Sequence, residues 1–256
     1  MKKILFACDL DNTLIHSARK KQDDDICIEW IGDKPQSFIA PKTVALLKEI
    51  NREALFLPIT TRSIEQYLRI QWPEDCQPHY AITTNGGVLL TDGKEDATWG
   101  KISREIGIQY QQEFARLLED MQRSDFFIKC RTVDGLYLFG YCKDGVDGGA
   151  CQVYYREKTL LNVMISGRKL YIFPSEFQKG NGLMRFQERF AVDAVYCAGD
   201  SIIDVSMLAL GDISYVPNAE LSRSYSANEK RVCPSGTPFS EFIVHDVVQR
   251  IKEVGL

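Results

Sequence analysis

The order of strand-like and helical patterns along the chain constrains its fold most strongly. Short apolar runs at residues 4–9, 54–60 and 80–87 alternate with helical patterns at 41–50 and 63–72. The first run, ILFACD, is apolar up to its terminal charge, which is typical of a strand buried on both faces. Strands that alternate with helices in this way predict a parallel, doubly wound sheet.

The alternation breaks in the middle of the chain. Residues 103–123 carry apolar side chains at helical spacing. Two hairpins follow, with turns at Asp134-Gly135 and around Gly167, and a helix is predicted around 149–160 between them. Local hairpins favour antiparallel pairing. This α-β-β-α-β-β order therefore predicts an inserted α+β unit with an antiparallel sheet.

The first pattern returns after this insert, so the two ends of the chain are predicted to form one core. We expect a Rossmann-like, three-layer α/β/α core from residues 1–86 and 178–256, with the αββαββ insert at 87–177. Residues 16–40 form a longer detour than a usual strand-to-helix connection. We interpret this detour as a hairpin that turns around Gly32, directly after the first strand.

Composition narrows the class of protein. A net charge of −4 over 256 residues leaves no sign of a basic nucleic-acid surface. No stretch approaches the roughly 20 apolar residues of a membrane helix. The eight cysteines form no C-x-x-C pair, so a zinc site is not expected and a reducing compartment fits. We therefore expect a cytoplasmic protein without nucleic-acid or membrane partners, and the choice between monomer and dimer stays open.

Polar residues concentrate where the core strands are predicted to end. In open α/β sheets, ligands bind outside the carboxyl ends of the strands. The residues at these places combine acids, hydroxyls, an arginine and an amide: Asp9, Asp11, Thr13, Thr60, Thr61, Arg62, Asn85, Asp200, Ser201 and Asp204. Lys179 opens the helix before the fourth core strand and adds a cation to this set.

Two of these acids predict a site for a cation and a phosphate. Asp9 and Asp200 are expected on adjacent strand ends, where they would repel each other unless a divalent cation such as Mg²⁺ lies between them. Asp9 can then attack phosphorus, since carboxylates form aspartyl-phosphates. Asp11 can serve as general acid and then base, which requires a raised pKa. Thr60 and Lys179 would hold the phosphoryl oxygens.

These residues carry a resemblance to a known family. The sequences DLDNTL, the threonine of PITTRS, KGNGL and GDSIID occur in the order of the four motifs of the haloacid dehalogenase-like (HAD) phosphohydrolases, which they resemble. The insert between the second and third motifs resembles the C2-type cap of that family. Its αββαββ order is similar to the branch with sucrose-phosphate phosphatase, phosphomannomutase and mannosyl-phosphoglycerate phosphatase. SGRKLYIFPSEFQKGNGL is similar to the cap-to-core return of that branch.

The resemblance implies roles for the acids. Asp9 would be nucleophile and metal ligand, and Asp11 the general acid and base that also gives its main-chain carbonyl to the metal. Asp200 would bind Mg²⁺, with Ser201 and Asp204 supporting the metal from outside its ligand set.

The resemblance also implies a phosphate site. Thr60 and Lys179 would bind the phosphate. Thr61 stands where a glycine is common in the family, which leaves open which threonine contacts phosphate, and Thr60 is favoured.

Three further residues are candidate substrate contacts, each with a plainer alternative. Arg62 is as readily a surface ion-pair partner, Asn85 a turn residue, and Arg168 an exposed charge at a hairpin tip. Aromatic residues that alternate along the insert's strands are interpreted as sheet packing rather than a ligand cage: Tyr137, Phe139, Tyr141, Tyr171 and Phe173.

The leading functional hypothesis is a Mg²⁺-dependent phosphatase, a phosphoric monoester hydrolase. It would act on a small phosphorylated metabolite, with a sugar phosphate preferred, through an aspartyl-phosphate intermediate. One alternative is a phosphosugar mutase or phosphotransferase with the same chemistry. Another is a receiver-type signalling domain that holds a phosphoaspartate without turnover. The sequence identifies neither the substrate nor the cap residues that select it.

Overall fold

The computed structural model describes residues 2–255, so the outermost residues of the two predicted core segments, 1 and 256, lie outside it. Within this range the chain forms fifteen strands: β1 (Ile4–Cys8), β2 (His16–Ser17), β3 (Ile26–Ile31), β4 (Lys34–Ile39), β5 (Leu55–Pro58), β6 (Tyr80–Thr83), β7 (Val88–Thr91), β8 (Lys94–Glu95), β9 (Phe127–Val133), β10 (Tyr137–Cys142), β11 (Asn162–Ser166), β12 (Lys169–Phe173), β13 (Ala194–Ala198), β14 (Ile213–Val216) and β15 (Glu229–Val232).

Eight α-helices connect or cover these strands within the same described range: α1 (Pro41–Glu53), α2 (Ile64–Leu68), α3 (Ala97–Arg123), α4 (Gly148–Arg156), α5 (Lys179–Arg189), α6 (Val205–Leu208), α7 (Ala219–Arg223) and α8 (Phe239–Gly255). No helix in the described part of the chain is both long enough and apolar enough to cross a bilayer.

A five-stranded parallel sheet forms the centre of the core, in the order β15-β14-β13-β1-β5. Every residue of β1 is buried, because Phe6 packs on the face covered by α1 and α8 while Leu5 packs on the face covered by α5 and α6. Each fully buried side chain of this size contributes about 1.5–3 kcal/mol to folding. The predicted three-layer α/β/α core is confirmed.

β6 is the predicted third strand, but it does not join the sheet as a regular parallel member. It touches the residues after β5 through one parallel bridge between Ile59 and Ile82, and the Thr60 amide donates to the Ile82 carbonyl at 2.9 Å. Its main partner is β7, in an antiparallel hairpin that β8 extends. The predicted boundary at residue 87 falls inside this hairpin, and the domain limits stay a prediction.

Several predicted elements have different bounds. The helix predicted from residue 103 starts at Ala97, because the Asp96 side chain caps it by accepting from the Trp99 amide at 2.9 Å. The helix predicted around 149–160 ends at Arg156, and the one predicted for 63–72 ends at Leu68. The short elements α7 and β15 were not predicted at all.

The hairpin predicted in the detour at 16–40 is present as β3 and β4, and Gly32 turns it with a positive φ of 56°. β2 pairs with β4, which completes a small antiparallel sheet. The Gln71 amide donates to the Ile28 carbonyl at 2.7 Å, so this hairpin, called the flap below, is tied to the segment after α2.

The insert forms a four-stranded antiparallel sheet in the order β11-β12-β10-β9, called the cap sheet below. Even-numbered side chains such as Leu138, Leu170 and Ile172 pack against α3 and α4. Because side chains alternate between the faces of a sheet, odd-numbered residues of β10 and β12 point the other way, and Tyr171 and Phe173 there pack against Ile203 of the core.

The cap sheet is fastened to the core at the β9–β10 turn. The Asp134 carboxylate accepts from the Thr84 hydroxyl at 2.5 Å and from the Ile64 amide at 3.1 Å. The Tyr137 hydroxyl donates to the Thr61 carbonyl, also at 2.5 Å. The odd-numbered face of the cap sheet therefore covers the carboxyl ends of the core strands.

Candidate active site

The site is built where β1 and β13 end side by side. Asp9 follows β1 directly and its amide donates to the Ala198 carbonyl at 2.9 Å, while Asp200 lies two residues beyond β13. The carboxyl ends of parallel strands meet at the same edge of a sheet, which brings these acids together. One carboxylate oxygen from each of Asp9, Asp200 and Asp204 lies within 4.8 Å of the others.

Lys179 supplies the positive charge of this cluster. It begins α5, is fully buried, and its ammonium donates to the carboxylate of Asp9 and, at 2.5 Å, to Oδ1 of Asp204. Burial alone lowers the pKa of Lys179, but the charges of Asp204 and Asp9 outweigh this and raise it. The lysine is therefore held as a cation between two carboxylates.

Asp204 orients the loop that carries Asp200. Its Oδ2 accepts from the amides of Asp200 and Ser201, at 3.0 and 2.9 Å, and from the Ser201 hydroxyl at 3.1 Å. Since its Oδ1 binds Lys179, both oxygens of Asp204 already have protein donors. Asp9 and Asp200 line the cavity between the core and the cap sheet whereas Asp204 does not, so the first two are better placed to bind a cation, and the supporting role expected for Ser201 and Asp204 stays a prediction.

The acidities of Asp9 and Asp200 fit a cation site. Burial and the neighbouring Asp204 charge raise the pKa of Asp9 to about 6, although Lys179 opposes this shift. Burial and the nearby charge of Asp9 raise the pKa of Asp200 to about 8. A divalent cation stabilises the ionised forms of two neighbouring carboxylates that otherwise disfavour each other's charge, and hard oxygen ligands suit Mg²⁺. The donor set therefore fits that ion.

Asp11 differs from the prediction of a raised pKa. Arg62 forms two parallel hydrogen bonds to it, Nε to Oδ2 at 2.9 Å and Nη2 to Oδ1 at 2.8 Å. Burial raises the pKa of Asp11, but the Arg62 charge and hydrogen bonds outweigh it and lower the pKa. Asp11 is accordingly ionised in this structure, because a bidentate guanidinium stabilises the carboxylate.

Arg62 is a buried residue rather than a surface one, and protein groups engage its guanidinium. Besides Asp11, it donates to Oε2 of Glu29 at 2.8 Å and to the Ser37 hydroxyl at 3.0 Å. Glu29 and Ser37 belong to the flap, and Arg69 of the segment after α2 also reaches Glu29 at 3.2 Å. Arg62 therefore joins the flap to Asp11 through a buried network.

The two threonines have different surroundings. Thr60 is fully buried, and its hydroxyl accepts from the Arg62 amide at 3.2 Å. Thr61 lines the two cavities described next. A third hydroxyl, that of Thr13, donates to Oδ2 of Asp9 at 3.2 Å. The structure thus brings Thr61 rather than Thr60 to the cavities, although Thr60 was favoured as the phosphate contact.

Two adjoining cavities lie between the core and the cap sheet. The first, of about 280 Å³, is called the carboxylate cavity and contains Asp9, Lys179 and Asp200 in its wall. The second, of about 250 Å³, is called the cap cavity and lies among the flap, α2 with the residues after it, and the cap sheet. They share four lining residues: Asp11, Thr61, Lys169 and Tyr171.

The remaining substrate candidates are engaged in the protein itself. Arg168 lines the carboxylate cavity, but its guanidinium donates to the Cys142 carbonyl at 2.9 and 2.6 Å and lies 4.6 Å from the Tyr141 ring centroid. Asn85 lies outside the lining of both cavities and donates to the Phe177 carbonyl at 2.7 Å, which ties its turn to the cap-to-core return.

Several cavity residues were missed from the sequence. The cap aromatics were interpreted as sheet packing, and Tyr137, Tyr171 and Phe173 do pack together, but four of the five also line one or both cavities: Tyr137, Phe139, Tyr141 and Tyr171. Glu29, Arg131 and Lys169 were not singled out. Side chains alternate along β9 and β12, and this alternation puts Arg131 and Lys169 on the odd-numbered face. That pattern was the one sign in the sequence by which these two residues could have been found.

Comparisons with known proteins bear on the fold. No family model and no curated protein matches the sequence. Solved structures do match, among them sucrose-phosphatase from Synechocystis, crystallised with sucrose and phosphate, at 15% identity and a TM-score of 0.65. That alignment covers 98% of this chain and 99% of the other.

Two further structures agree. A haloacid dehalogenase-like hydrolase from B. subtilis aligns at 16% identity and a TM-score of 0.60, over 98% of this chain and 99% of the other. A phosphatase of the haloalkanoate (HAD) superfamily from Bacteroides thetaiotaomicron aligns at 14% identity and a TM-score of 0.56, over 97% and 96%. From end to end, the chain has the fold of the haloacid dehalogenase-like hydrolases, as the motifs indicated.

Proposed function

We propose that this protein is a Mg²⁺-dependent phosphomonoesterase that hydrolyses a small phosphorylated metabolite through an aspartyl-phosphate on Asp9. The observation that carries the proposal is the buried contact of Lys179 with Asp9 and Asp204, next to Asp200, at the floor of a covered cavity. The similar structures also support phosphatase activity, since one of them is a sucrose-phosphatase in complex with sucrose and phosphate.

In the first step an oxygen of Asp9 attacks phosphorus, and the bond from phosphorus to the leaving oxygen breaks. Lys179 and Thr13 hold the two oxygens of the Asp9 carboxylate, which fixes the direction of attack. Asp11 gives a proton to the leaving oxygen. Since Arg62 keeps Asp11 ionised at rest, the approaching phosphate dianion must first raise the pKa of Asp11, as a like charge does, so that the carboxylate takes up the proton from water before it donates it.

In the second step Asp11, again a carboxylate, takes a proton from water while the water oxygen attacks phosphorus. The bond from phosphorus to Asp9 breaks, and inorganic phosphate leaves. Asp9 and Asp200 would hold Mg²⁺, which when bound supplies positive charge against the phosphoryl oxygens. The cap sheet limits access of bulk water during the first transfer.

The decisive experiment compares Asp9→Asn with the parent protein. Inorganic phosphate released from p-nitrophenyl phosphate in the presence of Mg²⁺ should be lost in Asp9→Asn, because an amide is no nucleophile here. Asp125→Asn, which changes an exposed acid of the cap, is the matched control and should retain activity. Undiminished phosphate release from Asp9→Asn would overturn the mechanism.

The same assay separates the alternative reactions. A mutase returns an isomeric phosphate ester instead of inorganic phosphate. A signalling domain accumulates a stable acyl-phosphate on Asp9 without turnover. The hydrolase proposal requires free phosphate in amounts that exceed the protein many times.

A further inference from the structure

Charge in the cap cavity is unevenly balanced. Its two carboxylates, Asp11 and Glu29, are both bound by Arg62, and Glu29 is also bound by Arg69. Two more cations line the same cavity, Arg131 of β9 and Lys169 of β12. The cavity wall therefore carries four cations against two anions.

Arg131 and Lys169 have no carboxylate partner among residues 2–255 within ion-pair distance. The polar contact of the Arg131 guanidinium is a bond of 3.1 Å from Nη2 to the Gln66 side-chain oxygen. Both residues are half-buried, and the pKa of Lys169 is raised, chiefly by Tyr171 and against the effect of burial. Both are cations at neutral pH, in a place where water screens them incompletely.

The register of the cap sheet aims both cations into the same space. Arg131 is opposite Phe139, which is in turn opposite Tyr171, so these three side chains form one row across the odd-numbered face. Lys169 lies two residues before Tyr171 on the same face, opposite Tyr141, and lines both cavities. A molecule that reaches from Asp9 into the cap cavity passes Lys169 and then meets Arg131.

We propose that the leaving group of the substrate carries a second anionic group, a carboxylate or a phosphate, which Arg131 and Lys169 bind in the cap cavity. This inference rests on the proposed function, because it assumes that the transferred phosphoryl group occupies the carboxylate cavity. Guanidinium groups bind carboxylates and phosphates through paired hydrogen bonds. The substrate is thus a phosphorylated hydroxy acid or sugar acid, or a bisphosphate, rather than a neutral sugar phosphate.

The test compares pairs of phosphate esters of similar size, in which one member carries a second anion and the other does not. 3-Phosphoglycerate is measured against glycerol 3-phosphate, 6-phosphogluconate against glucose 6-phosphate, and fructose 1,6-bisphosphate against fructose 6-phosphate. We expect kcat/KM to be at least about tenfold higher for the anionic member of one pair, the usual effect of a charge-assisted hydrogen bond. The first two pairs report a carboxylate, and the third reports a phosphate.

Variants identify the residues responsible. Arg131→Met and Lys169→Met should each lower the ratio of anionic to neutral kcat/KM about tenfold. Lys101→Met, at an exposed position of α3, is the control and should leave the ratio at the parent value. If a variant fails to fold, the comparison of anionic with neutral esters in the parent protein still tests the second anion site.

The outcomes separate this inference from the proposed function. Release of phosphate from p-nitrophenyl phosphate with ratios near one in all three pairs refutes the second anion site and leaves the phosphatase intact. A preference that Arg131→Met and Lys169→Met both retain also refutes it. Absence of phosphate release from every ester refutes the proposed function itself.

Discussion

Replacing Arg62 by methionine should destabilise the protein through the carboxylate that it leaves behind. The Glu29 and Arg62 side chains are only 4% and 9% exposed, whereas Asp11 is 37% exposed. Breaking a buried ion pair by removing one partner costs about 3–5 kcal/mol. The Arg62–Asp11 ion pair is left out of this cost, because water screens the exposed Asp11 carboxylate and pairs with an exposed member contribute little to stability.

Glu29 keeps two other partners when Arg62 is removed, so the loss of stability should lie near the lower end of this range. Arg69 stays 3.2 Å from Oε1, and the Ser37 hydroxyl donates to Oε2 at 2.6 Å. We therefore expect Arg62→Met to lower the free energy of unfolding by about 3 kcal/mol. In a chain of this size that corresponds to a fall in Tm of about 6–12 °C.

Urea denaturation of a double-mutant cycle checks the cause. Glu29→Gln in the Arg62→Met background removes the stranded charge, so the double variant should recover about 1–2 kcal/mol relative to Arg62→Met alone. Arg123→Met, which removes an arginine from the exposed surface of α3, should change stability by less than about 0.5 kcal/mol. The reasoning is refuted if Arg62→Met matches Arg123→Met, or if Glu29→Gln adds to the damage.

Two further predictions concern the acids and the close packing of the site. The pKa values of Asp9 and Asp200, raised from 3.8 to about 6 and about 8, stabilise the metal-free protein fully below about pH 4, and this contribution is lost as pH rises through those values. In EDTA, Tm should therefore fall between about pH 5 and about pH 8, and Mg²⁺ should raise Tm more at the higher pH; equal shifts at both pH values would contradict the assignment. Gly86→Ala should cost about 3 kcal/mol or more in urea denaturation, because φ is +102° and the new Cβ would lie 2.4 Å from the Gln178 carbonyl oxygen. Gly135→Ala, at φ +74° with nothing within 4 Å of the new Cβ, should cost about 1 kcal/mol, and equal costs would show that the contact with Gln178 is unimportant.

Sequence reasoning was most successful where chain order and position at a strand end carry the information. Asp9 and Asp200 follow from the rule that parallel strands present their carboxyl ends at one edge, whereas Lys179 was predicted as the residue that opens the helix before the fourth core strand. The surroundings of Asp11 could not be predicted this way. Its partner Arg62 was visible, but only the tertiary position of the flap brings Glu29 to the same guanidinium. The sign of the Asp11 pKa shift depends on that arrangement.

The errors in the fold have a similar origin. The run at 80–87 has the composition of a buried strand, and hydrophobic pattern alone does not distinguish a regular parallel neighbour from one arm of a hairpin. Arg131 and Lys169 look like ordinary exposed charges on hairpin strands. Their place in the cap cavity appears only when the odd-numbered face of the cap sheet is known to cover the core.

The alternation of the cap sheet divides its residues between two tasks that can change independently in evolution. Even-numbered side chains such as Leu138 and Leu170 hold α3 and α4, so substitutions there endanger folding. Odd-numbered side chains such as Arg131 and Phe139 face the cap cavity. Relatives of this chain can therefore acquire new substrates through alternate positions of the same strands, while the fold and the four motifs beneath them stay unchanged.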